Sequence, residues 1–280
     1  MGAQLLDGRA VAKARRDLLA ARVTQLQERG IVPRLSVILP SSDEASLAYY
    51  RAKQRVAEKL GIEVKGVTIE APTTDAIVSQ IKSWSLDPTV SAIMVEAPLP
   101  PEIDMEAVRN ALPAAKDVDG AGIESLGRLL SGQPTFPPAT AVAALALAES
   151  AVNVAGKHAV VVGRSLVVGR PLALLLLAQD ATVTVCHSKT VNLPDIARRA
   201  NLLFVAVGRP GFVVGDMVAP GAAVIDIGTT VVNGRLVGDV DARSVASVAG
   251  ALSPVPGGVG PLTTTILLEH VVQAAERAIG

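Results

Sequence analysis

Cysteine is nearly missing from this chain. Its 280 residues include one, Cys186, which excludes an internal disulfide and any metal site built from several cysteines. Histidine is almost as scarce: His158, His187 and His270 are scattered, without the spacing of a zinc site. One Trp, two Tyr and three Phe leave few rings to stack on a flat ligand. An excess charge of either sign is also missing. The 26 basic and 26 acidic residues cancel, and no basic stripe or tail points to nucleic acid or an anionic membrane. The longest apolar runs, such as LALLLLA, fall far short of the ~18–20 residues that span a bilayer. The stretch MGAQLLDGRAVAKARRDLL is amphipathic and charged, with no signal-peptide core. A soluble cytoplasmic protein is expected.

What is present is apolar material in quantity. Half of the residues are hydrophobic, enough for a sizeable core, and at roughly 100–200 residues per domain the length implies two domains. Strand-like runs alternate with helix-like ones. LSVILP (35–40) reads as a buried strand. SSDEASLAYYRAKQRVAEKLG opens on a capping-box pattern, Ser41 with Glu44, and stops at Gly61, so a helix is expected over 43–60. IEVKGVTI follows as a strand, then a helix near 74–85, the strand SAIMVE, and helices near 103–112 and 123–131. Beyond the break SGQPTFPPAT, an Ala-rich helix over 139–150 bridges to a second alternation. There the strands are 159–162, 182–186, 202–207 and 223–227, with helices over 168–179 and 191–200. VVNGRLVGDVD reads as a hairpin turning at Asn233-Gly234. SPVPGGVGP feeds a last helix over 261–279, with Pro261 in its first turn. This alternation predicts an α/β chain with parallel sheets and right-handed crossovers. The expected division is residues 1–138 with 261–280 against 139–260, the latter a Rossmann-like dinucleotide-binding domain.

VVVGRSLVVGRP, at 160–171, is the most informative stretch. A strand ends in Gly163, and Gly169 follows just before Pro171 and a leucine-rich helix. A glycine turn at that point exposes backbone N–H groups and the positive helix end to a pyrophosphate. The middle glycine of the usual fingerprint is replaced by Ser165, and the spacing alone also fits a plain tight turn. The next strand, ATVTVC, runs into His187-Ser188-Lys189. A carboxylate there would accept the ribose hydroxyls of NAD. Donors and a positive charge, together with Arg164 and Ser165, suit a 2′-phosphate instead, so NADP is the expected cofactor. The bland alternative for His187 and Lys189 is a pair of solvated loop-edge groups. VGRP (207–210) and IDIGTT (225–230) end strands at the same carboxyl edge.

In the first half, Tyr49 and Lys53 stand four apart and share a helix face, with Ser46 one turn earlier. Lysine moves protons well when partly desolvated, although such pairs are also common on exposed helices. Glu96 ends the strand AIMVE. KDVDG places Asp117 and Asp119 in a loop, either to accept hydrogen bonds from a ligand or to shape a turn.

Taken together, SLAYYRAK, VEAPLP, KDVDG, GKHAVVVGRSLVVGRPLALLL, ATVTVCHSKT, AVIDIGTT, GDVD and PVPGGVGPLT resemble the bifunctional methylenetetrahydrofolate dehydrogenase/cyclohydrolase family, in the family's order over nearly the whole chain. The resemblance implies two α/β domains with a cleft between them, the last helix returning to the first domain, and a homodimer. It implies tetrahydrofolate derivatives as substrates, with NADP+ taking hydride from the methylene form and water opening the methenyl product. Lys53 takes the acid/base role, Tyr49 packs on the pterin and Asp119 binds its donor edge. Gly163, Arg164, Ser165, Gly169, His187, Ser188, Thr229 and Thr230 fall to the cofactor. Pro256, Gly257, Gly258 and Pro261 close over nicotinamide and substrate.

The chain departs from the pattern in places. Glu96 stands where the family carries glutamine. A carboxylate there favours the charged lysine and makes it a poorer base, so a hydrolytic step that is weaker or shifted to higher pH is expected; the alternative is that Glu96 is itself catalytic and shares the proton. A dehydrogenase without cyclohydrolase activity and a nucleotide-binding regulator without turnover are the rival readings. FPPATAVA lacks a cysteine, a proline and a glycine of the family pattern, Thr229 and Thr230 replace an apolar residue, and LLEHVV lacks an Asn-Thr pair.

Overall fold

A computed structural model describes residues 2–40 and 44–279, with the backbone alone for residues 44–46 and 49. The expected capping pair Ser41 and Glu44 lies outside the described residues.

In chain order the elements are β1 (Gln4–Leu5), α1 (Gly8–Glu28), β2 (Arg34–Leu39), α2 (Glu44–Glu58), β3 (Glu63–Thr68), α3 (Thr74–Leu86), β4 (Ala92–Val95), α4 (Met105–Ala111), α5 (Ile123–Leu130) and α6 (Ala139–Glu149). Then come β5 (His158–Val162), α7 (Gly169–Ala178), β6 (Thr182–Cys186), α8 (Leu193–Ala197), β7 (Leu202–Val205), β8 (Ala223–Asp226), β9 (Thr230–Val232), β10 (Arg235–Val237), α9 (Ala242–Val245), β11 (Ala251–Leu252) and α10 (Val259–Arg277).

The chain forms two compact units: Met1–Lys13 with Thr140–Thr263, and Ala14–Ala139 with Thr264–Gly280. The first thirteen residues therefore belong with the later part of the chain, not with the N-terminal half as expected. The cause is β1. It pairs parallel with β11, Gln4 opposite Ala251 and Leu5 opposite Leu252, and two residues are too few to show a period in the sequence.

The unit holding β5 is a six-stranded parallel sheet in the order β1-β11-β8-β7-β5-β6. Its central strands read as unbroken apolar runs because both faces are covered: Ala159–Val162 and Leu202–Val205 are buried. Strand order reverses between β5 and β7, the switch point at whose carboxyl ends open α/β sheets bind ligands. Val162 pairs with Cys186 on one side and Val205 on the other, and Val205 with Asp226, so four strand ends share one edge. The helix expected over 191–200 is shorter because Asn192 adopts φ +55°, which no α-helix can include. α10 begins at Val259, and Pro261 sits in its first turn, where a missing N–H costs nothing.

The other unit has a three-stranded parallel sheet, β3-β2-β4. Ile38, Ile77, Ile81, Val90, Ile93 and Val108 form a buried cluster on it. α10 is held to α1 here by two bidentate pairs, Arg15 with Glu269 and Arg22 with Glu276.

Candidate functional site

The chemistry-bearing residues of the β2–β4 unit gather where β4 ends. Glu96 extends the ladder by one bond, its N–H donating to the Ile38 carbonyl at 2.9 Å. The chain then turns through a cis Ala97–Pro98 peptide. Lys53 reaches over from α2, its Nζ 2.9 Å and 2.7 Å from the two carboxylate oxygens of Glu96 and 3.9 Å from the Met94 sulfur. Both side chains are nearly enclosed, 13% and 8% exposed. Tyr49 lies on α2 one turn before Lys53, but its side chain is outside the described residues, as is that of Ser46.

The KDVDG loop runs beside β4. Ile93 donates to the Lys116 carbonyl at 2.8 Å and bridges Asp117 in parallel register. The two aspartates of the loop do different work. Asp117 is buried, and its oxygens accept from the N–H groups of Ala121 (3.2 Å) and Gly122 (2.8 Å). It braces the turn. Asp119 accepts no hydrogen bond among the described residues. Burial, then the neighbouring charge of Asp117, push its carboxyl up to about 7, with Lys53 acting in the opposite direction. Gly120 takes φ +61°, and a Cβ there would lie about 2.5 Å from the Pro138 nitrogen.

In the β5 unit, the strand–turn–helix at 160–171 is built as a close approach of backbones. Gly163 has φ +132°, and a Cβ on it would collide with the Ala206 carbonyl oxygen, joining β5 to the end of β7 at the switch point. A Cβ on Gly169 would strike the Gly163 carbonyl. Ser165, in place of the middle glycine, accepts from the Val168 and Gly169 N–H groups at 3.1 and 3.4 Å. Its hydroxyl thus satisfies amides at the start of α7 that would otherwise be orphaned. Arg164, Ser165, Ser188 and Lys189 are exposed at neighbouring strand ends. His187 is engaged in its own turn: its Nδ1 accepts from the Lys189 N–H at 3.1 Å, which leaves Nε2 as the face available to a ligand.

Two buried aspartates tie the remaining loops of that edge together, and sequence reading gave them no role. Asp239 Oδ2 accepts from the Val207 and Gly208 N–H groups at 2.6 and 2.8 Å. Asp226 accepts from Gly228, Asp239 and Val240. Burial pushes the Asp226 carboxyl up to about 6. Gly228 and Gly238 have no room for a Cβ because these carboxylates lie against them. Thr229 is exposed just beyond, and Thr230 opens β9. The signal for this pair was legible only as acidic residues inside apolar runs, in VIDIG and GDVD.

Pro256, Gly257 and Gly258 form a turn after a cis Val255–Pro256 peptide. Gly257, at φ +113°, lies against the Arg9 guanidinium, and Gly8 against the Gly258 carbonyl. Sequence reading missed Arg9 because its neighbour in space lies across most of the chain. Among the described residues, no group of three or more His, Cys, Asp or Glu side chains is placed to hold a metal ion.

The chain as a whole is similar to known proteins. The family model described as the tetrahydrofolate dehydrogenase/cyclohydrolase catalytic domain matches residues 6–119, and the NAD(P)-binding domain model of the same family matches 138–279. A relative from Halalkalibacterium halodurans, bifunctional protein FolD, is 48% identical over 99% of this chain and 100% of its own. A solved bifunctional methylenetetrahydrofolate dehydrogenase/cyclohydrolase from Campylobacter jejuni superposes with a TM-score of 0.95 at 35% identity, covering 98% of this chain and 99% of that one. A Trypanosoma brucei enzyme of this kind, solved with NADP cofactor and inhibitor, gives 0.92 at 36% identity over 100% and 99% of the two chains. The chain belongs to the tetrahydrofolate dehydrogenase/cyclohydrolase family.

Proposed function

We propose that this protein oxidises 5,10-methylenetetrahydrofolate to the 5,10-methenyl form with NADP+, and hydrolyses that product to 10-formyltetrahydrofolate. The observation that carries the reading is the enclosed Lys53 side chain, held 2.7 Å from Glu96, with Asp119 in the neighbouring loop close enough to feel both charges. The residues at the switch point of the six-stranded sheet fit a phosphorylated dinucleotide. Gly163 and Gly169 leave no side chain at the two points where the backbones close on each other, the start of α7 offers its dipole, and Arg164 with Lys189 suits a phosphate. When bound, NADP+ supplies the hydride acceptor. The protein's part in that step is to hold rings and exclude water, since positioning alone carries much of such a barrier.

Asp119 suits the ring N–H and amino donors of a pterin, because its carboxyl accepts from no protein donor among the described residues. Tyr49 stacks on the pterin from α2. In the hydrolytic step water attacks a carbon that is already electrophilic, and Lys53 Nζ relays the proton that the water gives up. Pro256, Gly257, Gly258 and Pro261 border the nicotinamide, and Thr229 and Thr230 the adjoining ribose. The enzyme works as a cytoplasmic homodimer. Among the described residues no helix is long and apolar enough to cross a membrane. β6 ends its sheet with Val185 exposed and Leu177 exposed on the preceding helix, an edge suited to a second copy.

The contact of both Glu96 carboxylate oxygens with Lys53 Nζ favours a narrower second reading, in which oxidation is retained and hydrolysis is slow. One pair of assays separates them. The purified protein with methylenetetrahydrofolate and NADP+ should generate reduced coenzyme, seen by its ultraviolet absorbance. Decay of added methenyltetrahydrofolate, compared with Lys53→Ala, measures the second step. No reduced coenzyme at saturation sinks both readings.

A further inference from the structure

The loop that carries Asp119 is held by a residue far away in sequence. The His270 side chain on α10 is buried, and its Nδ1 lies 2.8 Å from the Val118 carbonyl oxygen. A carbonyl only accepts, so Nδ1 carries the proton and the ring donates. Burial holds this imidazole below the ordinary histidine range, so the ring is neutral and its one N–H is committed to Val118.

The bond acts on Asp119 because the peptide unit is planar. Fixing the Val118 oxygen fixes the orientation of the whole plane, including the Asp119 nitrogen and Cα. The other side of Asp119 is fixed as well, by Gly120 in the left-handed region against Pro138. The two restraints meet through one side chain. The His270 ring lies 5.3 Å from the Phe136 ring at 42°, and the Phe136 carbonyl oxygen is one of the atoms that crowd Gly120. The Arg277 guanidinium sits 4.6 Å over the same Phe136 ring. His270 therefore touches both walls of the turn that displays Asp119. Asp117, the only other acid in the loop, is used up in bracing backbone N–H groups.

We propose that His270 is a positioning residue for the folate-binding carboxylate: through Val118 it sets the direction in which Asp119 points. This rests on the reading of Asp119 as the pterin's acceptor. It also gives a role to a residue standing in the stretch where the family pattern carries an Asn-Thr pair.

The test compares His270→Asn with His270→Ala in the full chain. The amide nitrogen of Asn occupies the place of Nδ1 and keeps the donor. Ala removes it. Ala is expected to raise KM for methylenetetrahydrofolate about tenfold, the weight of one buried hydrogen bond. Asn should stay near the wild-type KM. Affinity for NADP+, measured by binding alone, should change in neither. A second readout needs no turnover. Carbon-13 NMR of labelled aspartate, with Asp119→Asn for assignment, should show the Asp119 carboxyl titrating high in wild type and His270→Asn and falling toward the ordinary range in His270→Ala. If Ala does not fold, His270→Gln replaces it, since that amide sits at the Nε2 position and cannot reach Val118. The proposal is overturned if the donor-less variant keeps both the wild-type KM and the Asp119 titration, or if Asn fails as badly as Ala. A wild-type protein without turnover would sink the enzymatic reading, and the NMR titration would still decide the role of His270.

Discussion

Lys53 and Glu96 form a two-pronged ion pair, with Nζ 2.7 Å and 2.9 Å from the two carboxylate oxygens. One partner comes from the middle of a helix, the other from the first residue beyond a strand. The carboxylate takes up N–H directions of the amine that a proton-transfer group would otherwise offer to substrate. Glutamine in its place would leave the contact but remove the charge.

Glu96→Gln should therefore speed the hydrolytic step, because the substitution removes a charge contact that holds Nζ away from the substrate. An increase of about tenfold near neutrality is the scale expected for such a charge contact. Oxidation of the methylene form should change little. The check is a pH–rate profile for methenyl decay in both proteins. Superimposable profiles would end the idea.

The same pair should show itself in stability. Lys53→Met leaves Glu96 enclosed without its partner, and breaking a buried pair in this way costs about 3–5 kcal/mol. Lys53→Met combined with Glu96→Gln should recover most of that loss, since no unpaired charge remains. Urea unfolding of the four proteins gives the cycle. A double variant as unstable as the single would mean that Glu96 tolerates isolation.

Asp119→Asn should trade activity for stability, with a defined pH signature. Its carboxyl titrates at about 7 in the folded chain, against 3.8 ordinarily, so between those values the folded state holds a proton that the unfolded state has lost. The contribution of this group to stability is complete below the lower value and is lost as pH rises through the upper one. The gain in Tm from Asn should be larger at about pH 8 than at about pH 5. kcat/KM should fall at least tenfold or so, as a hydrogen bond to the pterin is removed. Equal gains in Tm at both pH values would contradict the assigned titration.

Gly169→Ala should abolish coenzyme binding while leaving the β2–β4 unit intact. The added methyl collides with the Gly163 carbonyl, backbone against which no side chain can yield. NADP+ affinity, measured by titration calorimetry, should drop more than about a hundredfold, because the turn must open to accept the methyl. Arg164→Ala, by contrast, should weaken NADP+ about tenfold and NAD+ hardly at all, since only the former carries the extra phosphate. Equal losses for both coenzymes would place Arg164 on the shared pyrophosphate instead.

Much of this molecule is written locally. The apolar runs VVV and LLFV are strands because both faces of a parallel sheet are covered. Gly163 and Gly169 mark a turn because only glycine fits there. β1 was invisible because two residues have no period and are strand only in the presence of β11. The helix at Leu193–Ala197 starts later than its sequence predicts because Asn192 takes a left-handed φ, which hydrophobic periodicity does not encode. Asp117 and Asp119 look alike in KDVDG, and their surroundings alone separate the carboxylate that braces backbone N–H groups from the one that accepts none among the described residues.

The sequence by itself determined the α/β alternation, the glycine-bordered turn, the family and the short set of groups able to do chemistry, because each rests on spacing within a few residues. Tertiary structure decided which of those groups meet. The pairing of Lys53 with Glu96, the contact of Asp226 with Asp239, and the hold of His270 on Val118 all join residues 13 or more positions apart. Such contacts depend on how the helices and strands are laid against one another, and no periodicity along the chain encodes that distance.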